Sequence, residues 1–198
     1  MSRGVVREKK KTKVAWGISG SGDKLTETVD VMIRVKKEYG KEVDIRVYLS
    51  KAGKQVIGRY KLTEKLNESF DRVLVEANSN APFLAGDLQT GKFTFLLVAP
   101  ATSNTVAKIA NGITDSLLTN SAIMALKSFT SVYIMPVDFR EGMIMTKLPD
   151  GKDWKVRVRK EDAENAQKLK TMKGITVLEK PEEILEVFRN HFRKGRVL

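Results

Sequence analysis

The sequence predicts an α/β fold with a central parallel sheet. Residues 93–99 (FTFLLVA) and 131–135 (SVYIM) are short, nearly continuous apolar runs, and a proline follows each of them. Runs of this kind are typical of parallel strands that are covered on both faces. Segments with a helical spacing of apolar residues separate the predicted strands. Strands that alternate with helices favour a parallel sheet with right-handed crossovers.

The first fifty residues predict one strand–helix–strand unit. Residues 13–19 (KVAWGIS) read as a short apolar strand, and the loop 20–23 leads into a helix over 24–39, where apolar residues recur at helical spacing. Residues 42–49 alternate between apolar and polar, which is the pattern of a second strand. Ser50 then begins another helix.

The middle of the chain predicts further strands and helices. Residues 72–77 (RVLVEA) indicate a third strand, with a short helix as the alternative. Residues 78–91 are rich in Asn, Pro and Gly, which predicts loops. Helices are expected over 102–111 and 113–127, on either side of a glycine.

The last third is more polar and continues the alternation. It predicts a strand over 154–159, in an excursion from the sheet, and a charged helix over 160–172. A final strand over 175–178 and a closing helix over 181–192, with a proline in its first turn, complete the pattern.

Length and hydropathy indicate one soluble domain. At 198 residues the chain predicts a single domain over 1–198, with basic tails at 1–12 and 193–198. There is no run of eighteen apolar residues, so no membrane span is predicted. The apolar stretch after the basic amino terminus is too short for a secretory signal, and we therefore expect a cytoplasmic protein.

Composition excludes several kinds of site. The absence of Cys excludes disulfides, thiolate metal sites and cysteine nucleophiles, and the single His191 excludes multi-histidine metal centres. We therefore expect no metal. Lys and Arg total 36 against 24 Asp and Glu, which gives a net charge of +12. This charge favours an anionic partner, such as nucleic acid, an acidic protein or a phosphorylated cofactor.

The first candidate site is the glycine-rich segment GISGSG, residues 17–22. It lies between a predicted strand and a predicted helix, where backbone N–H groups and the hydroxyls of Ser19 and Ser21 can bind a phosphate. A P-loop would need Lys directly after Gly22, and the dinucleotide fingerprint would need a different glycine spacing. The segment therefore favours a monophosphate, and the alternative is a tight turn without a ligand.

The second candidate is the segment APATSNT, residues 99–105, which also follows a strand and precedes a helix. Four successive polar side chains stand where ligands bind in open α/β sheets. The alternative is that Thr102 or Ser103 only caps the helix. Two strand ends thus point to one crevice.

Residues 100–119 (PATSNTVAKIANGITDSLLT) resemble the signature of the homo-oligomeric flavin-containing cysteine decarboxylase superfamily. Within it the chain is most similar to archaeal flavoproteins that accept electrons from ferredoxin and to their dihydromethanopterin reductase relatives. The resemblance covers residues 13–136 well and the last third loosely. It implies a flavodoxin-like (Rossmann-like) three-layer sandwich that binds FMN at a subunit interface of trimers or multiples of trimers.

The resemblance also implies the residues that bind FMN. They come from the first loop, from the hydroxyl after the second strand, and from the segment along the flavin and its ribityl phosphate. These residues are Gly17, Ser19, Gly20, Ser21, Ser50, Pro100, Ala101, Thr102, Ser103, Asn104 and Thr105.

Departures from the superfamily pattern argue against decarboxylation. Gly86 occupies the position of the decarboxylase His, and residues 136–139 (PVDF) replace the Pro-Ala-Met-Asn segment. The later substrate-clamping Cys is absent. The sequence therefore keeps the residues implied in flavin binding and lacks those implied in cysteine decarboxylation.

The leading hypothesis is an FMN-dependent oxidoreductase that passes electrons from a ferredoxin-like donor to a small acceptor, for instance a dihydropterin. A flavin prenyltransferase or decarboxylase-like lyase is one alternative, and a basic nucleic-acid-binding protein is another, although no nucleic-acid-binding module is recognisable. The sequence assigns no catalytic residue. Asp138 and Glu141 are candidates to line the crevice, and Met135, Met143 and Met145 are expected to pack in the core or an interface.

Overall fold

The computed structural model describes residues 11–192. Its main sheet has six parallel strands in the order β3-β2-β1-β4-β5-β8, and β6 pairs with β7 in a separate antiparallel hairpin. The strands are β1 Thr12–Ile18, β2 Val43–Leu49, β3 Val73–Val75, β4 Phe95–Ala101, β5 Ser131–Pro136, β6 Gly142–Lys147, β7 Asp153–Val158 and β8 Ile175–Val177.

Helices cover both faces of the main sheet, so the predicted three-layer architecture is confirmed. One buried cluster joins the sheet to α1, α2, α3 and α8, and a second joins its other face to α4, α5, α6 and α7. The helices are α1 Leu25–Tyr39, α2 Lys51–Arg59, α3 Thr63–Ser69, α4 Leu84–Gln89, α5 Ser103–Ala110, α6 Leu117–Lys127, α7 Lys160–Thr171 and α8 Glu183–Phe192.

Strand β4 shows why the central runs are apolar throughout. Phe95 and Leu97 pack in the first cluster, whereas Leu96 and Val98 pack in the second. Because successive side chains of a strand point to opposite faces, a strand between two helical layers buries every residue.

The strand order reverses between β1 and β4. The chain first lays down β2 and β3 on one side of β1, and then returns to place β4 on the other side. Ligands of open α/β sheets bind beyond the carboxyl ends of the strands at such a reversal. The two loops singled out in the sequence follow these two strands.

Two features of the prediction are wrong or incomplete in the middle of the chain. The predicted loop 78–91 contains helix α4, because Leu84 and Leu88 lie one turn apart and are both fully buried. Helix α3 was not predicted. The third strand is confirmed as β3, and β4 continues past Pro100 to Ala101.

The hairpin β6–β7 is the excursion that the sequence predicted from residues 154–159 alone. Its exposed side chains include Met143, Met145 and Trp154, which are 55%, 61% and 58% exposed. The methionines were predicted to pack in the core or an interface, and Met135 is fully buried in the core. Met143 and Met145 lie outside the core of the single chain, and their packing in an interface stays a prediction. Trp16 is also fully buried, and its indole N–H donates to the Ala99 carbonyl at 2.7 Å.

The carboxyl-terminal helix α8 closes the first buried cluster. His191 near its end stacks on Phe95, with 4.7 Å between ring centroids, and its Nε2 lies 2.8 Å from the hydroxyl of Tyr133. Of the predicted tails, only Lys11 and Thr12 fall within the described residues, and Thr12 begins β1. Among the helices described, none is long and apolar enough to cross a membrane.

Candidate functional site

Ser19 joins the tips of β1 and β4. Its hydroxyl donates a hydrogen bond to the Pro100 carbonyl at 2.8 Å and accepts one from the backbone N–H of Thr102 at 2.9 Å. The Ser19 N–H also donates to the Pro100 carbonyl, at 3.3 Å. Ser19 is buried. The two predicted loops therefore meet, as expected for neighbouring parallel strands.

A cleft of about 280 Å³ lies beside this joint. Four of the predicted site residues line it, namely Gly20 and Ser21 from the first loop and Thr102 and Ser103 from the second. The hairpin β6–β7 lines it as well. The sequence thus predicted the floor of the cleft but not the hairpin that forms part of its wall.

Several predicted residues lie behind the cleft. Gly17 packs under α6, where a Cβ would stand 2.6 Å from Leu118 Cδ2. Ser50 caps α2 and accepts a hydrogen bond from the Gly53 N–H at 2.9 Å. Its own hydroxyl hydrogen has no acceptor within residues 11–192. Close packing against Leu118 therefore accounts for the glycine at position 17. The Ser50 hydroxyl, by contrast, still has a hydrogen that it can donate.

The remaining predicted residues belong to the end of β4 and the start of α5. Pro100 and Ala101 are buried in β4, with the Pro100 carbonyl held by Ser19. Thr105 is buried and lies against Thr102, while Asn104 is exposed on the first turn. The predicted set therefore divides into cleft-lining residues and residues that support them.

The amino terminus of α5 carries unused backbone donors. Thr102 caps the helix, since its Oγ1 accepts from the Thr105 N–H at 3.3 Å. The N–H groups of Ser103 and Asn104 have no partner within the described part of the chain. Free N–H groups at a helix amino terminus, together with the helix dipole, favour an anion. Thr102 thus caps the helix, as the alternative interpretation of the sequence predicted. Within residues 11–192, the cap leaves the N–H groups of Ser103 and Asn104 free for a ligand.

The first N–H of α2, by contrast, already has an acceptor. The carboxylate of Glu76 accepts from the Lys51 N–H at 3.0 Å and from the Leu117 N–H, at the start of α6, at 2.7 Å. One side chain thus supplies the negative charge that both helix termini favour. At α5, in contrast to these two first N–H groups, the first N–H is unpaired among the described residues and belongs to Ser103, which lines the cleft.

Two carboxylates line the cleft. Asp138 was a candidate from the sequence, and its Oδ2 accepts a hydrogen bond from the Ser103 hydroxyl at 2.8 Å. The second candidate, Glu141, is exposed and is not part of the lining. Asp23 was missed, although it directly follows the glycine-rich segment, because neither phosphate motif assigns a role to a residue there.

Asp23 is a half-buried acid. Burial raises the pKa of its carboxyl above the ordinary value, and the charges of Glu27 and Asp138 act in the same direction. Hydrogen bonding to Thr146 and the charge of Lys24 oppose this shift. The neutral form of Asp23 is therefore favoured more than that of an exposed aspartate.

Tyr60 attaches the hairpin to the body of the domain and was also missed. Its hydroxyl donates to the Lys147 carbonyl of β6 at 2.7 Å. A Cβ on Gly22 would stand 2.2 Å from the Tyr60 hydroxyl, so the ring lies directly over this glycine. No local pattern marked Tyr60, because it meets its partner across 87 positions of sequence.

Gly86, which the resemblance places at the position of the decarboxylase His, lies beside the ring of Phe83. A Cβ on Gly86 would stand 2.2 Å from this exposed ring. The replacement of that histidine by Gly86 stays a prediction from the sequence.

Comparison with known proteins identifies related sequences. The profile of a family described as Flavoprotein matches residues 2–195. An uncharacterized protein of Methanocaldococcus jannaschii is 50% identical over 179 residues, which covers 90% of this chain and 95% of that protein. A dihydromethanopterin reductase (acceptor) of the same organism is 32% identical over 235 aligned residues, covering 89% and 95%.

A solved structure shares the fold. Burkholderia xenovorans DmrB in complex with FMN, described as a cubic protein cage for redox transfer, superposes with a TM-score of 0.78 at 26% identity. The match covers 96% of this chain and 99% of that one. The predicted flavodoxin-like fold is therefore confirmed over nearly the whole chain.

Proposed function

The chain belongs to the flavoprotein family, and from this membership we propose that it is an FMN-dependent oxidoreductase. In this proposal it takes electrons from a ferredoxin-like donor and passes them to a small acceptor, a dihydropterin. The observation that carries the proposal is the cleft beside the Ser19 joint, where two strand tips meet and the amino terminus of α5 presents backbone N–H groups that have no partner in the described chain.

The residues present fit the phosphate of FMN. The N–H groups of Ser103 and Asn104 and the hydroxyl of Ser50 are donors without acceptors in the described chain. Gly20 lies against Ala52 of α2, which brings the first loop close to the helix that Ser50 caps. Neutral donors and a helix dipole are sufficient to hold a phosphate dianion without a metal ion.

The side of the cleft towards the hairpin fits a ring system rather than a phosphate. Ile144 and Val156 are apolar, and Asp23 and Asp138 are the lining residues that can carry a charge near neutral pH. When bound, FMN supplies one-electron and two-electron chemistry, which allows a one-electron donor to serve a two-electron acceptor. The chain contributes binding, orientation and, at Asp23, a carboxyl that burial favours in its protonated form.

The partners follow from charge and from the family. A net charge of +12 favours the approach of an acidic electron-carrier protein, and this attraction weakens as salt rises. The acceptor class is supported by the name of the related M. jannaschii reductase. We also propose a homo-oligomer, a trimer or a multiple of trimers, which the cage described for DmrB supports.

The test is anaerobic reconstitution followed by electron transfer. We expect the purified chain to retain FMN, to be bleached by reduced ferredoxin, and to recover its colour when a dihydropterin is added, with tetrahydropterin as product. Gly20→Ala should weaken FMN binding at least tenfold, because its Cβ would stand 2.6 Å from Ala52 Cβ. Gly58→Ala is the matched control, since nothing lies within 4 Å of that position.

Three results would contradict the proposal. Failure to retain FMN after reconstitution, with binding to mixed DNA at moderate salt, would favour the nucleic-acid-binding alternative. A change in flavin mass after incubation with dimethylallyl phosphate would indicate a prenyltransferase. If ferredoxin reduces the protein but no dihydropterin reoxidises it, the proposed pterin acceptor is wrong, whereas the proposed flavoprotein function still stands.

A further inference from the structure

The hairpin β6–β7 has one face that looks into the cleft. Directly opposed residues of an antiparallel pair share a face, and the register pairs Ile144 with Val156 and Thr146 with Trp154. Ile144, Val156 and Thr146 all line the cleft. Trp154 therefore stands on the cleft side of the hairpin, one step beyond the lining residues, with 58% of its surface exposed.

The strand opposite Trp154 is attached to the body of the domain next to Thr146. The Lys147 carbonyl accepts a hydrogen bond from the Tyr60 hydroxyl at 2.7 Å, and Thr146 lies close enough to Asp23 of the first loop to lower the pKa of its carboxyl. Because Thr146 is the direct cross-strand neighbour of Trp154, these contacts fix the backbone at Trp154 relative to the floor of the cleft. The exposed indole thus stands next to the cleft wall, on the face that looks into the cleft.

We propose, on the basis of the function proposed above, that Trp154 is the surface on which the electron acceptor stacks, and that this acceptor is an uncharged planar heterocycle with N–H donors along one edge, as a pterin has. An indole face binds a flat ring through stacking, and the attraction does not require charge on either partner.

The carboxyl groups of the cleft favour this class of ligand. Asp23 and Asp138 both line the cleft, and carboxyl oxygens accept hydrogen bonds from an amino-pyrimidinone edge. A ring edge that carries N–H donors therefore fits this part of the cleft.

The opposite face of the hairpin provides a matched control. The register pairs Met143 with Arg157 and Met145 with Lys155, so these side chains lie on the face away from the cleft. Met145 is 61% exposed, close to the value for Trp154. A substitution there removes a similar exposed apolar group from the same hairpin without altering the cleft side.

The experiment measures equilibrium binding of 6-methylpterin to the FMN-reconstituted chain by dialysis. This probe carries the pterin edge and exchanges no electrons with oxidised flavin, so binding is separated from turnover. We expect Trp154→Ala to weaken binding about tenfold, the size of the effect when stacking on an aromatic side chain is lost. Trp154→Phe should stay within about threefold of the unmodified chain, and Met145→Ala should bind equally well.

Each contrary result overturns the inference. Unchanged pterin binding in Trp154→Ala would remove the stacking role, and loss of FMN together with the pterin would place the indole on the flavin instead. If the unmodified chain retains FMN but binds no pterin, the acceptor site is wrong while ferredoxin-driven reduction still tests the electron-transfer function. Circular dichroism and FMN content establish that each variant folds.

Discussion

Ser19 and Thr102 lie on different strand tips and share a hydrogen bond of 2.9 Å, in which the Thr102 N–H donates to the Ser19 hydroxyl. That hydroxyl has a single hydrogen, and it is used on the Pro100 carbonyl. Ser19 therefore has no hydrogen left for a ligand. It acts by holding the two loops together, and the donors for a bound phosphate have to come from its neighbours.

Removing this hydroxyl should destabilise the fold and weaken cofactor binding together. Ser19→Ala leaves the Thr102 N–H without its acceptor, which typically costs about 1–3 kcal/mol of unfolding free energy. Urea denaturation of the apoprotein and an FMN titration measure the two effects. Ser131→Ala, at the start of β5 and so at the opposite end of the sheet, should change stability by less than about 0.5 kcal/mol. Normal FMN affinity in Ser19→Ala would show that the joint is not needed for the site.

The attachment of the hairpin can be tested without removing any apolar surface. Tyr60→Phe keeps the ring over Gly22 but deletes the donor to the Lys147 carbonyl. One hydrogen bond is worth about 0.5–1.5 kcal/mol, so amide exchange over residues 142–158 should accelerate roughly two- to tenfold. Asp153→Asn breaks the exposed ion pair with Lys147 instead and should leave exchange nearly unchanged. Equal effects of the two substitutions would argue against the attachment.

The ionised carboxylate of Asp23 should destabilise the folded protein at neutral pH. Its folded-state pKa is raised by burial, so between the ordinary aspartate value of 3.8 and the raised value the folded state binds more protons than the unfolded state. Stability therefore falls as pH rises through this window and stays lower above it. Asp23→Asn should raise the melting temperature at pH 7, and this gain should vanish below about pH 3.8. A destabilising effect at pH 7 would mean that the Thr146 hydrogen bond outweighs the burial of the charge.

His191 should produce the opposite dependence. Burial lowers its pKa in the folded state, so below the ordinary value of 6.5 the unfolded chain takes up a proton that the folded chain does not. Its contribution to stability is complete above about pH 6.5 and is lost as the pH falls towards the folded-state pKa. Urea midpoints at pH 7 and pH 5 should differ less in His191→Gln than in the unmodified chain. If His191→Gln and the unmodified chain show the same pH dependence of stability, that dependence comes from other titrating groups.

The centre of the sheet was predictable because β4 is buried on both faces, whereas the helices that cover the sheet are buried on one. These patterns are local, and Pro136 marks the end of β5, whereas β4 runs one residue past Pro100. The hairpin was only half predicted, because Met143 and Met145 alternate as a strand does but point to solvent. Without the register, an exposed methionine cannot be told from a buried one.

The candidate site was predictable where it depends on position along the chain. Residues that follow neighbouring parallel strands must meet, and the Ser19 bonds to Pro100 and Thr102 show that they do. Their role in binding FMN stays a prediction. Tyr60 could not be found in this way, since its part in the site depends on a contact with Lys147 that only the folded chain creates.

The two tryptophans lie at opposite extremes of solvent access, one sealed in the core at Trp16 and one at the rim of the cleft at Trp154. Biosynthetic incorporation of 5-fluorotryptophan would therefore yield just two fluorine resonances, and only the rim signal should shift when H₂O is exchanged for D₂O. A single fluorine spectrum then distinguishes ligand binding at the cleft entrance from a rearrangement of the interior, without any substitution in the chain.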